Sequence, residues 1–397
     1  MVVDFPSPVL AAIAATSRNA PTAPPLTPDA AVRAARALAP RLFAQAAATD
    51  ATATFPAQEL DWLRATGLLT APLAAALGGA GLGAPAATEA LLAVLRHIGR
   101  GNLAVGRLYE GHINALLLIQ LLGTPVQAAR WAADAAAGQL FGVWNTEDHD
   151  HGVRLEALSG GRYRLHGAKT FASGAGYVGR PVVTGALPEG RGGQLFVLPA
   201  DEQPPALDRS FWRPLGMRAT ASYRADLTGL EVGPADLLGP PNAYYRQPWF
   251  GGGASRFAAV QLGGAEAVFD ETRRFLQRAG RTDDPYQRQR LGQMALLLES
   301  GRQWLHGAAA HAALPADAGA PPKPAATAYA NLVRTAIEQI VLAMLPLAER
   351  SVGARGLLQP EPFERLHRDL THYLRQPAPD AVLADVGHFV LDGHDFY

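Results

Sequence analysis

Between Phe141 and Gly152 the chain reads FGVWNTEDHDHG, which puts Glu147, Asp148, His149, Asp150 and His151 in one unbroken run. Carboxylates and imidazoles are the groups of metal centres and of proton transfer. Consecutive side chains diverge on a strand or a helix, so neighbours converge on one ion only in a tight loop. The run has no HExxH companion and no second ligand pair at a fixed spacing. It predicts the polar lip of a pocket, with no metal. Three other residues are candidate proton carriers. His112 falls on the apolar stripe Val105, Leu108, His112, Leu116 and Ile119. A buried imidazole there either completes the packing or shuttles a proton near neutral pH. His372 and Tyr373 follow an Arg-Asp pair near the end of the chain.

The elements that must position these groups are legible from periodicity. Residues 16–30 are rich in Pro, Ala and Thr and read as a loosely docked lead-in. From Thr27 to Arg130 the pattern is helical, with Thr88 as an N-cap before ATEALLAVLRHIGR and a helix from Asn102 to a stop at Gly123. Near Phe141 the period changes to strand alternation. VRLEAL and RYRLHG flank a turn at SGG, and PVVTGAL, QLFVLPA and ASYRADL follow. Helical periodicity returns in four long segments, the last being PFERLHRDLTHYL, with ALPADAGAPPKPAAT as a loop between two of them. The expected fold is α+β: an N-terminal helical domain over 1–139, a central β-domain (barrel or sandwich) over 140–239, and a C-terminal four-helix bundle over 240–397.

Composition narrows the function. Among 397 residues, 35 basic and 35 acidic side chains give a net charge of zero, which argues against nucleic acid as a partner. No cysteine is present, so disulfides, thiolate metal sites and Cys nucleophiles are excluded. The first residues carry Asp4 and no basic run, and no apolar run approaches the roughly 18 residues of a membrane helix. The expectation is a cytoplasmic protein without membrane insertion. GGAGLGAPA precedes a helix but follows no strand, so it is not a dinucleotide loop.

Five stretches, in order, carry a resemblance. They are FPAQELDWLRATGLLTAPLAAALGGAGLG followed by LRHIGRGN; the pair Thr146-Glu147; LHGAKTFASGAG, similar to NGxKxWITN; PLGMRATASYRADLTGLEV, similar to LGxRxSxxxxxxFxxVxVP; and GARGLLQPEPFERLHRDL, similar to GGxGYxxxxPxERLxRDA. Together with the helix–β–helix order, they resemble the acyl-CoA dehydrogenase family of flavoproteins over nearly the whole chain. The resemblance implies FAD between the β-domain and the last bundle and a homo-oligomer, either dimer or tetramer. It also implies a small acyl or acyl-CoA-like substrate whose hydride passes to flavin N5, with the electron acceptor left open. It puts Phe171 against the isoalloxazine ring, Ser173 beside N5, and Trp144, Asn145 and Thr146 along the flavin's polar edge. Arg281, Arg350 and Gly353 fall in the stretches that grip the pyrophosphate.

The departures matter as much. Removing an α-proton needs a carboxylate. The family places it at the position of Gln376 or Pro377, or at that of Ser255 just before Arg256, and this chain has no carboxylate at either. His112, His372 and Tyr373 are the substitutes to examine. The turn RAGRTDDPYQ is short and lacks the family's FG, and Arg350 stands where Gln is expected. Three readings follow. One is an acyl-CoA dehydrogenase-type oxidoreductase with a relocated base. The second is a flavin monooxygenase on the same scaffold, of the dibenzothiophene monooxygenase type. The third is a non-catalytic descendant with a decayed flavin site.

Overall fold

The computed structural model describes residues 26–246, 253–313 and 324–396. Most of the lead-in and most of the ALPADAGAPPKPAAT loop lie outside the described residues. The first part is helical: α1 (Pro28–Thr52), α2 (Ala57–Ala65), α3 (Thr88–Gly101), α4 (Leu103–Leu122) and α5 (Pro125–Ala136). Thr88 is the first helical residue rather than the cap, because its hydroxyl donates back to the Pro85 carbonyl at 2.7 Å. Asn102 does cap α4, its side chain accepting the amides of Ala104 and Val105. Gly123 ends that helix, and a Thr124–Gln127 capping box starts α5.

Among the described residues ten strands follow: β1 (Phe141–Trp144), β2 (Arg154–Ala157), β3 (Tyr163–His166), β4 (Ala168–Ala172), β5 (Arg180–Ala186), β6 (Gly193–Val197), β7 (Ala206–Asp208), β8 (Tyr223–Asp226), β9 (Glu231–Val232) and β10 (Leu237–Leu238). The expected hairpin forms with Arg154 opposite His166 and Ala157 opposite Tyr163. Its register turns Leu155 and Leu165 together into the core. One sheet has the order β10-β6-β5-β2-β3-β9, with β1 added parallel to β5; the other is β4-β8-β7. Leu155, Leu165 and Val183 of the first and Ala172 and Ala225 of the second share one apolar core, so the sheets make a sandwich-like module.

The last part holds α6 (Ala254–Arg278), α7 (Pro285–Ala313), α8 (Pro324–Gly356), α9 (Pro362–Tyr373) and α10 (Pro379–Leu391). The fifth of these was not expected. It starts on Pro379 with Asp380 in its first turn, and buries Val386 and Phe389. Ala325–Gly356 is long and apolar enough to cross a membrane, against the expectation from shorter runs. Its Val333, Ile337, Val341, Met344 and Ala348 are buried within the bundle.

Two glycines clamp the first part to the last. A Cβ on Gly263 would meet the Arg96 carbonyl at 2.1 Å, and one on Gly99 the Val260 carbonyl at 2.3 Å. Helices α3 and α6 therefore touch backbone to backbone. Charge fixes the same crossing: buried Glu266 accepts Arg96 and Arg302, and Arg100 pairs with Asp270.

Candidate flavin site at the β-domain seam

Strand β4 pairs with β8 through Lys169 opposite Ala225 and Ala172 opposite Tyr223, with a register shift between. The bulge releases Phe171, which takes φ +50°. That left-handed conformation costs a non-glycine residue about 1–2 kcal/mol. It turns the ring outward, 49% exposed, on a strand whose other neighbours are buried. Phe211 and Trp212 stand nearly perpendicular to it, with centroids at 5.3 and 6.0 Å. A held aromatic surface open to one side suits a flat ring.

The polar groups around it are fixed. Buried Trp144 donates from Nε1 to the Ser173 carbonyl at 3.0 Å. The Ser173 hydroxyl meets Ser222 Oγ at 3.0 Å, and Ser222 meets Thr220 Oγ1 at 2.8 Å. Thr220 spends its one proton on the Met217 carbonyl. Ser222 must then donate to Thr220, and Ser173 to Ser222. Ser173 thus offers the seam an acceptor rather than a donor. Asn145 is set in the opposite sense: Thr184 donates to its Oδ1 at 2.5 Å, leaving the amide N–H groups as donors. Thr184 also accepts from Lys169 Nζ at 3.1 Å, and Lys169, fully buried, pairs with Glu147. Burial depresses the Lys169 pKa, and Glu147 opposes the shift. The Thr146 carbonyl accepts from Thr170 N–H, which ties the segment after β1 to the bulge.

The DHDH run is a turn. Asp148 accepts the amides of Asp150 and His151 at 3.2 Å and Arg224 Nε at 2.6 Å, and His149 and His151 are exposed. Among the described residues no group of three or more His, Asp or Glu is placed to hold a metal.

His112 is not at the seam's surface. It is fully buried, its Nε2 donating to the Leu69 carbonyl at 2.7 Å and its Nδ1 accepting from Phe141 N–H at 3.0 Å. Both nitrogens are used, so of the two readings of that stripe the structure supports packing, and no ring atom is left to carry a substrate proton. Burial pushes its pKa down to about 4. The folded state holds this proton less tightly than the unfolded chain, so between pH 6.5 and about 4 the unfolded state binds more protons. Stability rises with pH across that window and is lost as pH falls through it, by about 2–3 kcal/mol. Urea unfolding at pH 7 and 4.5 should show this loss, and His112→Gln, which offers one donor and one acceptor without titrating, should show less of it. Equal losses would remove the ring as the cause.

His372 does reach the seam. It is half-buried and stands edge-on to Trp212 at 5.4 Å, and burial lowers its pKa, which keeps it neutral at pH 7. Tyr373, the next residue, turns inward with its hydroxyl buried and without a hydrogen-bond partner among the described residues. At the family's base positions, the Gln376 amide folds back on the Tyr373 carbonyl, Pro377 is exposed, and Ser255 is buried. Nearby carboxylates are committed: Glu110 to Arg107, Glu147 to Lys169, Asp148 to Arg224, and Asp369 to Met217 N–H at 2.6 Å. Burial raises Asp369 to about 6.

Arg281, Arg350 and Gly353 gather at one end of the bundle. Arg281 Nη2 lies 3.3 Å from Asp284, and Gln287, with its oxygen turned toward Arg281 and Arg290, accepts from both. The Arg350 carbonyl accepts from Arg290, and Gly353 sits at a break in α8 with φ +61°. No hydrogen bond or ion pair among the described residues links this set to Phe171 or Ser173.

Residues 29–139 match the family model for the acyl-CoA dehydrogenase N-terminal domain, and residues 255–374 the one for its C-terminal domain. A dibenzothiophene monooxygenase from Rhodococcus erythropolis is 28% identical over 417 residues, covering 91% of this chain and 93% of that protein. Among solved structures, FMN-bound TdsC from Paenibacillus sp. A11-2 superposes with a TM-score of 0.83 at 21% identity, covering 92% of this chain and 99% of that one. Butyryl-CoA dehydrogenase from Megasphaera elsdenii gives 0.79 at 17% identity, covering 92% and 98%.

Proposed function

The chain belongs to the acyl-CoA dehydrogenase family, whose fold serves flavin-dependent enzymes, and from that premise we propose that it is a flavin-dependent monooxygenase rather than an acyl-CoA dehydrogenase. The observation that carries this is the missing base. Gln376, Pro377 and Ser255 occupy the positions where a carboxylate would take an α-proton, and every nearby carboxylate among the described residues is already paired. Reduced flavin, when bound, supplies two electrons to O2, so that one oxygen atom enters the substrate and the other leaves as water.

The chain's own residues do the rest. Phe171 offers the stacking surface, and Asn145 offers amide donors to the flavin's polar edge. Ser173, with its proton committed to Ser222, presents an acceptor, which matches the N–H that reduced flavin carries at N5 and oxidised flavin lacks. His372 brings a neutral imidazole to the seam. We read the flavin as FMN. Arg281 is held by Asp284 and Gln287 instead of being free to grip a pyrophosphate, and the TdsC neighbour is FMN-bound.

The test is a flavin-reconstituted protein mixed without oxygen with a panel of acyl-CoAs. The flavin spectrum should stay oxidised. With FMNH2 supplied by a reductase, oxygen uptake should rise on adding small aromatic heterocycles or thioethers, with an oxygenated product by mass. Bleaching by any acyl-CoA would return the dehydrogenase reading.

A further inference from the structure

Helix α4 carries a polar stripe at a spacing of three and four: Arg107, Glu110 and Asn114. Glu110 is 2% exposed and accepts from both Arg107 and Asn114. The Asn114 carbonyl oxygen accepts in turn from Nε of Arg256, at the start of α6. Among the described residues, two guanidiniums therefore face one carboxylate. Neither is fully engaged. Arg107 spends only one Nη on Glu110, and both Nη groups of Arg256 are without a hydrogen-bond partner among the described residues. Burial pulls the Arg256 pKa down, against the pull of Glu110. The Tyr373 hydroxyl points to the same place. It is 4% exposed, has no hydrogen-bond partner among the described residues, and lies within electrostatic reach of Glu110 and Arg107. A buried, unpaired phenol costs about 1–3 kcal/mol unless something else satisfies it.

We propose that Arg107, Arg256 and Tyr373 bind an anionic group of the substrate, the carboxylate, sulfinate or sulfonate of a small organic oxyanion. Guanidinium forks match such groups in charge and geometry. A phenol O–H completes the donor set, and Glu110 with Asn114 orients the two arginines. The placement relates this site to the flavin seam. Tyr373 adjoins His372, which packs on Trp212, which packs on Phe171. Leu108, beside Arg107 on α4, lies where a Cβ on Gly174 would touch it at 3.3 Å. The anion would anchor one end of the substrate while the other reaches the seam. In that respect the inference rests on the monooxygenase reading.

Calorimetry on the flavin-loaded protein tests it with butane-1-sulfonate, butane-1-sulfinate and butyrate against neutral butyl methyl sulfone. At least one anion should bind about 10-fold or more tighter than the sulfone, roughly 1.4 kcal/mol. Arg256→Gln should lose about 10-fold for the anion and nothing for the sulfone. Tyr373→Phe guards against a folding artefact: removing an unpaired hydroxyl should leave thermal stability equal or higher, yet weaken the anion several-fold. Equal binding of sulfone and anion, or anion binding unchanged in Tyr373→Phe, would overturn the proposal. So would Arg256→Gln weakening FMN instead, which would assign the guanidiniums to the flavin phosphate. If wild-type protein binds the anion but no flavin, the anion site stands and the monooxygenase reading fails.

Discussion

Glu147→Gln should destabilise the protein by about 3 kcal/mol and weaken flavin binding with it. Lys169 is buried at 0% exposure, and Glu147 is its one ion-pair partner among the described residues. Glutamine keeps the shape and removes the charge, so an ammonium stays inside the protein with only Thr184 and the Asn145 carbonyl nearby. Breaking a buried pair from one side costs about 3–5 kcal/mol. The low end applies here because the Glu147 side chain is 45% exposed. On the proposed reading the functional loss follows from the wiring, since Lys169 holds Thr184, which fixes the Asn145 amide. Urea unfolding and FMN fluorescence titration measure the two effects. The double variant Glu147→Gln with Lys169→Met should recover most of the stability, because it leaves no stranded charge. A single variant within 0.5 kcal/mol of wild type would show that Lys169 deprotonates or reaches water instead.

Gly216→Ala should be at least as severe, at about 3–5 kcal/mol with loss of flavin binding. A Cβ there would lie 2.1 Å from the Arg368 carbonyl and 2.5 Å from the Asp369 amide, backbone atoms that no side-chain rotation can move. Overpacking alone costs about 1–3 kcal/mol. Pushing the loop off α9 would also break the bond from Met217 N–H to the Asp369 carboxylate, a charge-assisted contact of about 1.5–3 kcal/mol. The same loop carries Thr220, which terminates the hydroxyl relay to Ser173. Thermal unfolding and flavin retention should fall together. A folded variant with an unchanged flavin Kd would mean that the seam tolerates separation.

Periodicity carried the architecture because helices α1, α3, α4 and α6 to α9 are long and the β2–β3 hairpin alternates cleanly. The added helix α10 escaped because its Pro- and Asp-led start follows a Pro-rich segment that reads as a stop. The candidate flavin residues come from motif resemblance, whereas the reason Phe171 faces outward is a bulge, which depends on strand pairing that no local pattern encodes. The two readings of His112 stayed open for a related reason. Its position on the stripe was right, but both its partners, Leu69 and Phe141, are remote in sequence. The Arg107, Glu110 and Asn114 set on α4 was not singled out from the sequence, although its spacing of three and four is that of one helix face. What sequence could not supply was Arg256 and Tyr373 arriving from two other helices to face it.

The imidazole that joins Leu69 to Phe141 also bears on the order of assembly. Leu69 and His112 leave the ribosome before any strand exists, so the helical third can close one side of that ring on its own. The other nitrogen then waits as a ready acceptor at the boundary. Phe141 opens the first strand to be synthesised, so its amide ties the earliest strand of the sheet to that ring.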